Sequence, residues 1–184
     1  AENQTMDARA LQGLEVLQAP DICPFYIPDD LDLFTQAKAQ RPRTREIYRA
    51  PLVVVKEMMG NNARVAVAVA ERDLVFTDAY FAASLPTSHK QSAHLLAAIL
   101  GSSLASWFFL MTSSEFGIWK RKLLISDVAS VPVPDLKQAV KSDAGKQLLQ
   151  IEKGLRTPAI EGRSWALLDE AVFDLYDIDE VDRV

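Results

Sequence analysis

The side chains best suited to chemistry in this chain are cations, and they fall in three groups. The stretch RPRTREIYRAP, residues 41–51, carries Arg41, Arg43, Arg45 and Arg49. Lys56 closes the apolar run that follows it, and Arg64 opens the next one. Lys120, Arg121 and Lys122 form a third group after a long apolar segment. Guanidinium forks bind phosphate oxygens two at a time and match the major-groove edge of guanine, whereas ammonium groups act as point charges on phosphate. The chemistry on offer is therefore the gripping of a polyanion. Pro42 and Pro51 make the first group an exposed connection and not a helix interior. A plain solvated loop accounts for the same composition when that loop is taken alone. For Lys120, Arg121 and Lys122, pairing with the C-terminal dipole of the preceding helix competes with phosphate contact.

Catalytic groupings are absent from the sequence. It has no Gly-rich phosphate loop, no Gly-x-Ser-x-Gly elbow, no His-Glu-x-x-His and no Cys/His pair set for nucleophilic attack. His89 and His94 are the only histidines. Five positions apart, they do not share a helical face, and no cysteine or carboxylate lies nearby in sequence to complete a metal site. Both read as structural or surface residues. Asp29, Asp30 and Asp32 lack the rest of a calcium loop. Asp169 and Glu170 belong to a polar helix face. No catalytic residue, metal site or cofactor site is expected within these residues.

The distribution of charge supports a polyanion-facing middle. The formal net charge is −5, but residues 1–34 hold one basic against seven acidic side chains, residues 35–122 twelve against six, and residues 123–184 seven against twelve. A positive centre thus lies between two acidic ends. Chance variation on a solvated surface gives the same pattern. With 184 residues, 49% apolar and 24% charged, the composition is that of an ordinary globular chain able to bury a core. Cys23 is the sole cysteine, which rules out an internal disulfide and fits a reducing cytoplasm. The opening AENQTMDAR has no signal-peptide character. Its lack of an initiator Met leads us to expect either a trimmed chain or a piece of a longer protein.

The elements that must position these cations follow from apolar periodicity. Leu96, Leu100, Leu104, Phe108 and Met111 recur at helical spacing within LLAAILGSSLASWFFLM, residues 95–111, which predicts one long central helix. Ser102, Ser103 and Ser106 offer only small side chains, where another backbone can approach. A membrane span needs about 20 mostly apolar residues. This run is shorter and contains several small or hydroxylated positions, so a buried helix of a globular domain, without a membrane, is the expectation.

Residues 5–18 read as a short amphipathic helix with Leu11, Leu14 and Leu17 as its stripe and Thr5 or Asp7 as its cap. APDICPFYIPDD follows as an extended segment. LVVVKE (52–57) reads as a central strand, and Gly60, Asn61 and Asn62 as a turn. VAVAVA (65–70) and LVFTDAYFAASL (74–85) read as further strands, the latter split near Asp78. Lys56 and Arg64 are expected near one edge of the same sheet. Ser92 is a plausible cap of the central helix, and Ser126 or Asp127 of a later one. Helices are expected at 135–140, 143–152 and 164–176, with Asp179 capping another. The fold class is α/β (α+β): a small mixed or antiparallel sheet packed on a long buried central helix, then a helical tail. The organisation read here is an N-terminal helix and connector (1–34), an α/β domain (35–134) and a helical tail (135–184).

One ordered set of motifs carries a resemblance. It comprises P-L-V-V-V-K at 51–56, L-V-F-T-D-A-Y-F at 74–81, L-L-A-A-I-L-G-S-S-L-A-S-W-F-F at 95–109, S-S-E-F-G-I-W-K-R at 113–121, I-S-D-V-A-S-V-P-V-P at 125–134 and L-L-D-E-A-V-F-D-L-Y at 167–176. Across about residues 40–180 this resembles the C-terminal target-recognition region of adenine-specific N6 DNA methyltransferases. The similarity is to the TaqI-like specificity domain of restriction–modification enzymes and related phage-defence methylases. Where that family usually has Leu-Asn-Ser, this chain has Leu100-Gly101-Ser102. The family's upstream Asn/Asp-Pro-Pro-Tyr/Phe tetrapeptide and Gly-rich cofactor loop are not present here. The resemblance therefore implies a recognition region apart from its catalytic domain. S-adenosylmethionine is implied for the parent enzyme, and this chain would not bind it.

The partners implied are double-stranded DNA and a catalytic methyltransferase domain of the same parent chain or complex. That domain would flip and methylate the adenine, while this one grips the duplex. The DNA-binding candidates are Arg41, Arg43, Arg45, Arg49, Lys56, Arg64, Lys120, Arg121 and Lys122, chosen on local charge. A protein-interaction module that docks on a partner subunit through its acidic tail, without DNA binding, is the competing reading.

Overall fold

The computed structural model describes residues 5–60, 63–113 and 122–183. Its centre is a three-stranded antiparallel sheet in the order β5-β4-β7, with β4 (Leu52–Lys56) between β5 (Val67–Ala70) and β7 (Tyr80–Ser84). Val53 pairs with Val69 on one side and Ala83 on the other. The β-branched run of β4 occupies the central position because it is apolar on both faces. Alternation sends Val53 and Val55 toward the helices and Leu52 and Val54 toward the N-terminal segment. β6 (Leu74–Phe76) is separated from β7 by the turn at Asp78, as the sequence predicts.

The helical layer contains α1 (Lys90–Leu100) and α2 (Ser103–Thr112). α1 is buried along most of its length, between β4 and β5 on one side and the tail helices on the other. The tail contributes α3 (Ile125–Ser130), α4 (Leu136–Ala139), α5 (Asp143–Gly154) and α6 (Gly162–Leu175). Val53, Val55, Ala97, Leu148 and Leu168 belong to one contiguous buried cluster, so the sheet, α1 and the tail share a core. Among the described residues no single helix is long and apolar enough to cross a membrane.

Two expectations are corrected. The predicted central helix is two helices bent by 63°. The break lies where Ser102 adopts extended backbone (ψ 165°) and its Oγ accepts the Ala105 N–H at 3.2 Å, so this serine caps a new helix. Residues 5–18 are not helical. They form β1 (Thr5–Asp7), a 3-10 turn at Arg9–Leu11, and β2 (Glu15–Leu17). Gly13 sits at φ +82°, incompatible with a continuing helix. β1 pairs antiparallel with β3 (Lys38–Gln40), and β2 parallel with β6. Leu11, Leu14 and Leu17 are buried as predicted, but Leu11 ends the 3-10 turn and Leu17 lies in a strand whose partner is remote in sequence. Two caps also differ. Asp7 Oδ1 accepts the Arg9 N–H at 3.0 Å, capping only the 3-10 turn. Ser92 lies inside α1, which begins at Lys90.

Candidate nucleic-acid interface

The segment 32–49 is held on the N-terminal strands and then released. Val16 N–H donates to the Asp32 carbonyl at 2.8 Å, Phe34 N–H donates to the Leu14 carbonyl at 2.7 Å, and Ala8 N–H donates to the Ala37 carbonyl at 2.8 Å. Arg41 then takes φ +48°, a left-handed turn that leads the chain out of β3. Past Pro42 a 3-10 turn at Arg45–Tyr48 is anchored by Tyr48, whose buried ring meets Phe76 edge-on at 5.2 Å. Between these anchors Arg41 and Arg43 line an open cleft of about 1310 Å³. Tyr48 and Phe76 form part of its wall, and Asp32 and Asp78 contribute opposing charge.

The cations differ sharply in their surroundings. Arg41, Arg43 and Arg49 are exposed, and neither they nor Lys56 make an ion pair among the described residues. Arg45 is exposed and donates from Nη1 to the Ala10 carbonyl at 3.3 Å. Glu46 stands between Arg45 and Arg49. Its own backbone N–H and the Thr44 hydroxyl hold its carboxyl below the usual range, with smaller help from the two arginines. It therefore stays ionised and offsets part of the local positive charge.

Lys56 and Arg64 lie at one end of the β4–β5 pair, where Lys56 N–H donates to the Ala66 carbonyl at 2.8 Å. Their side chains then diverge. By alternation Lys56 shares the face of Leu52 and Val54, while Arg64 reaches into the helical layer. Its guanidinium binds Asp169 at two points, 2.9 and 2.5 Å, lies 4.5 Å from the Trp165 ring centroid and donates to the Gly101 carbonyl at 3.3 Å. Only 15% of each side chain in this pair is exposed. Arg64 is thus a tie between the sheet and α6, apart from the group at 41–49. Lys122 lies against the end of β4, with Nζ 2.9 Å from Glu57 Oε1. Lys120 and Arg121, like Asn61 and Asn62, lie outside the described residues.

A polar cluster also emerges that the sequence did not announce. Buried His94 places Nδ1 3.1 Å from Glu152 Oε1 and Nε2 3.1 Å from Glu71 Oε1. Arg156 Nη2 binds Glu152 at 2.7 Å, and Lys90 Nζ binds Glu71 at 2.7 Å. The carboxylates missing around His94 in sequence are therefore supplied from afar, and the cluster clamps α1 to α5 and to the β5–β6 turn. Lys90 chiefly, then His94, draws the Glu71 carboxyl below its usual range against the opposing effect of burial. Among the described residues no group of three or more His, Cys, Asp or Glu side chains is arranged to hold a metal ion. Burial pushes the Tyr80 phenol up to about 12, and its hydroxyl donates to the Gln18 carbonyl at 2.5 Å, fixing the β6–β7 turn to the N-terminal segment.

No family model matches the chain, and no curated protein matches it.

Proposed function

We propose that this chain is the DNA target-recognition domain of an adenine-specific N6 DNA methyltransferase of the restriction–modification type. It positions duplex DNA for a catalytic domain that lies elsewhere in the same parent chain or complex. The observation that carries the reading is the cleft bordered by Arg41 and Arg43, two exposed guanidinium groups with no carboxylate partner among the described residues. Arg45 and Arg49 are exposed further along the same segment. Groups left unpaired and hydrated in this way are available to phosphate at little desolvation cost, whereas Arg64 and Lys122, already paired, are not. The proposed DNA contact set is accordingly Arg41, Arg43, Arg45 and Arg49, with Lys56 as a further cation that holds no ion pair among the described residues. The ordered motifs from 51 to 176 support the same reading.

In this arrangement the catalytic domain supplies S-adenosylmethionine chemistry and flips the adenine, and the present residues grip the phosphates and set register. The test is an anisotropy titration of a labelled duplex with this chain across a salt series. Binding that weakens steeply as salt rises is expected. Absent binding, or binding indifferent to salt, contradicts the proposal.

A second surface favours the protein-docking reading. Trp107, Leu110 and Met111 on α2 are 56%, 58% and 64% exposed, beside an apolar pocket of about 220 Å³ between α2, Pro132 and Tyr176. Contiguous exposed apolar surface of this kind marks association sites. If docking were the whole function, a partner complex would survive charge reversal at 41, 43, 45 and 49, and the chain would show no affinity for duplex.

A further inference from the structure

Resting on the duplex-binding reading above, we infer that the β1–β3 ribbon enters the major groove and that Gln40 on it, with Gln36 shortly before it in the chain, reads adenine there. The ribbon is two antiparallel strands whose residues are exposed except for half-buried Ala39. Its register, Thr5 with Gln40 and Asp7 with Lys38, puts those four side chains on one face and Met6 with Ala39 on the other. One face is therefore wholly polar. A two-stranded ribbon fits the major groove, which is about 12 Å wide.

The chemistry of the segment suits that placement. Residues 35–45 contain Lys38, Arg41, Arg43 and Arg45 and no acidic side chain. Gln36 and Gln40 line the same cleft as Arg41 and Arg43, and their carboxamides hold no hydrogen bond among the described residues. A carboxamide accepts and donates at once, which matches adenine's N6 amino group and N7. The arginines beside them grip phosphate, so base reading and backbone anchoring come from one short stretch. Asp7 on the polar face, together with Asp32 and Asp78 in the cleft, repels phosphate and keeps the backbone to the arginine side. The groups that would decide sequence are thus uncharged, and those that would decide affinity are charged.

The test begins by selecting preferred duplexes from a randomised pool with the intact chain. Each adenine of the preferred sequence is then replaced by 7-deazaadenine, which lacks the N7 acceptor. We expect about a tenfold loss of affinity at one or two positions. A variant with Gln36→Ala and Gln40→Ala should already bind the unmodified duplex at that reduced level and lose nothing further on deaza substitution. Both side chains are exposed and β3 pairs through its backbone, so the variant should fold as the parent does, with circular dichroism as the check. A preference that the variant keeps, or that deaza substitution never disturbs, overturns the ribbon assignment while leaving duplex binding intact. Salt-dependent binding with no preference at all does the same. Failure of the unaltered chain to bind any duplex overturns both readings.

Discussion

Arg64 and Asp169 lie 105 positions apart in sequence and meet in a two-point ion pair, Nη1 to Oδ1 at 2.9 Å and Nη2 to Oδ2 at 2.5 Å. Asp169 Oδ1 also accepts the Ser103 N–H at 2.8 Å, so one carboxylate fixes the sheet's arginine and the first turn of α2. Removing either partner strands a largely buried charge. We expect Arg64→Ala and Asp169→Ala each to lower unfolding free energy by about 3 kcal/mol. Urea titration followed by circular dichroism checks this. Arg64→Ala should leave duplex affinity unchanged under conditions where it stays folded, because its guanidinium is committed to the helical layer.

Gly101, the residue that follows α1, sits hard against a buried aromatic ring. A Cβ at this position would lie 2.5 Å from Cζ and 3.1 Å from Cε1 of Phe25. Phe25 is itself buried and pinned by a bond from its N–H to the Val67 carbonyl at 2.7 Å. Gly101→Ala should therefore cost about 1–3 kcal/mol through overpacking, and Gly101→Asn more. Phe25→Leu should relieve part of that cost, so a double-mutant cycle in urea should return a favourable coupling between the two sites.

Glu71 gives the fold a dependence on pH at the acid end. Its carboxyl titrates lower in the folded chain than in the unfolded one, chiefly through Lys90. The stabilisation is therefore complete above the unfolded value of about 4.3 and is lost as pH falls through the lower folded value. With 45% of the side chain exposed, solvent screening keeps the effect below about 1 kcal/mol. Urea midpoints between pH 6 and pH 3 should fall less steeply for Glu71→Gln than for the parent, once the loss common to the other carboxylates is subtracted.

Much of this architecture was legible because it depends on local pattern. The continuous Val53-Val54-Val55 run marks a central strand, the turn at Asp78 divides β6 from β7, and the tail helices follow from their apolar stripes and breakers. The bend after Gly101 was not legible, because Ser102 looks the same to a periodicity argument whether it sits inside a helix or caps a new one. The N-terminal strands were missed for a related reason. Leu11, Leu14 and Leu17 satisfy helical spacing, yet Leu17 pairs with Phe76 and the Leu14 carbonyl accepts the Phe34 N–H, partners that spacing does not reveal. Long-range placement also divided the cations. Local charge picked out Arg41 and Arg64 alike, but only the fold puts Asp169 and Trp165 around Arg64 and an open cleft beside Arg41. His94 is the converse case, since its two carboxylate neighbours come from positions 71 and 152.

The claim that Arg41 and Arg43 grip phosphate is tested most directly by the salt dependence of duplex affinity. The measurement is the slope of log K against log salt for the parent chain, for an Arg41→Ala, Arg43→Ala variant and for an Arg163→Ala control in α6. Each lost phosphate contact should reduce the slope by about 0.9. The double variant should therefore be flatter by about 1.8 and weaker at low salt, with the control matching the parent. Identical slopes for all three proteins would contradict the account.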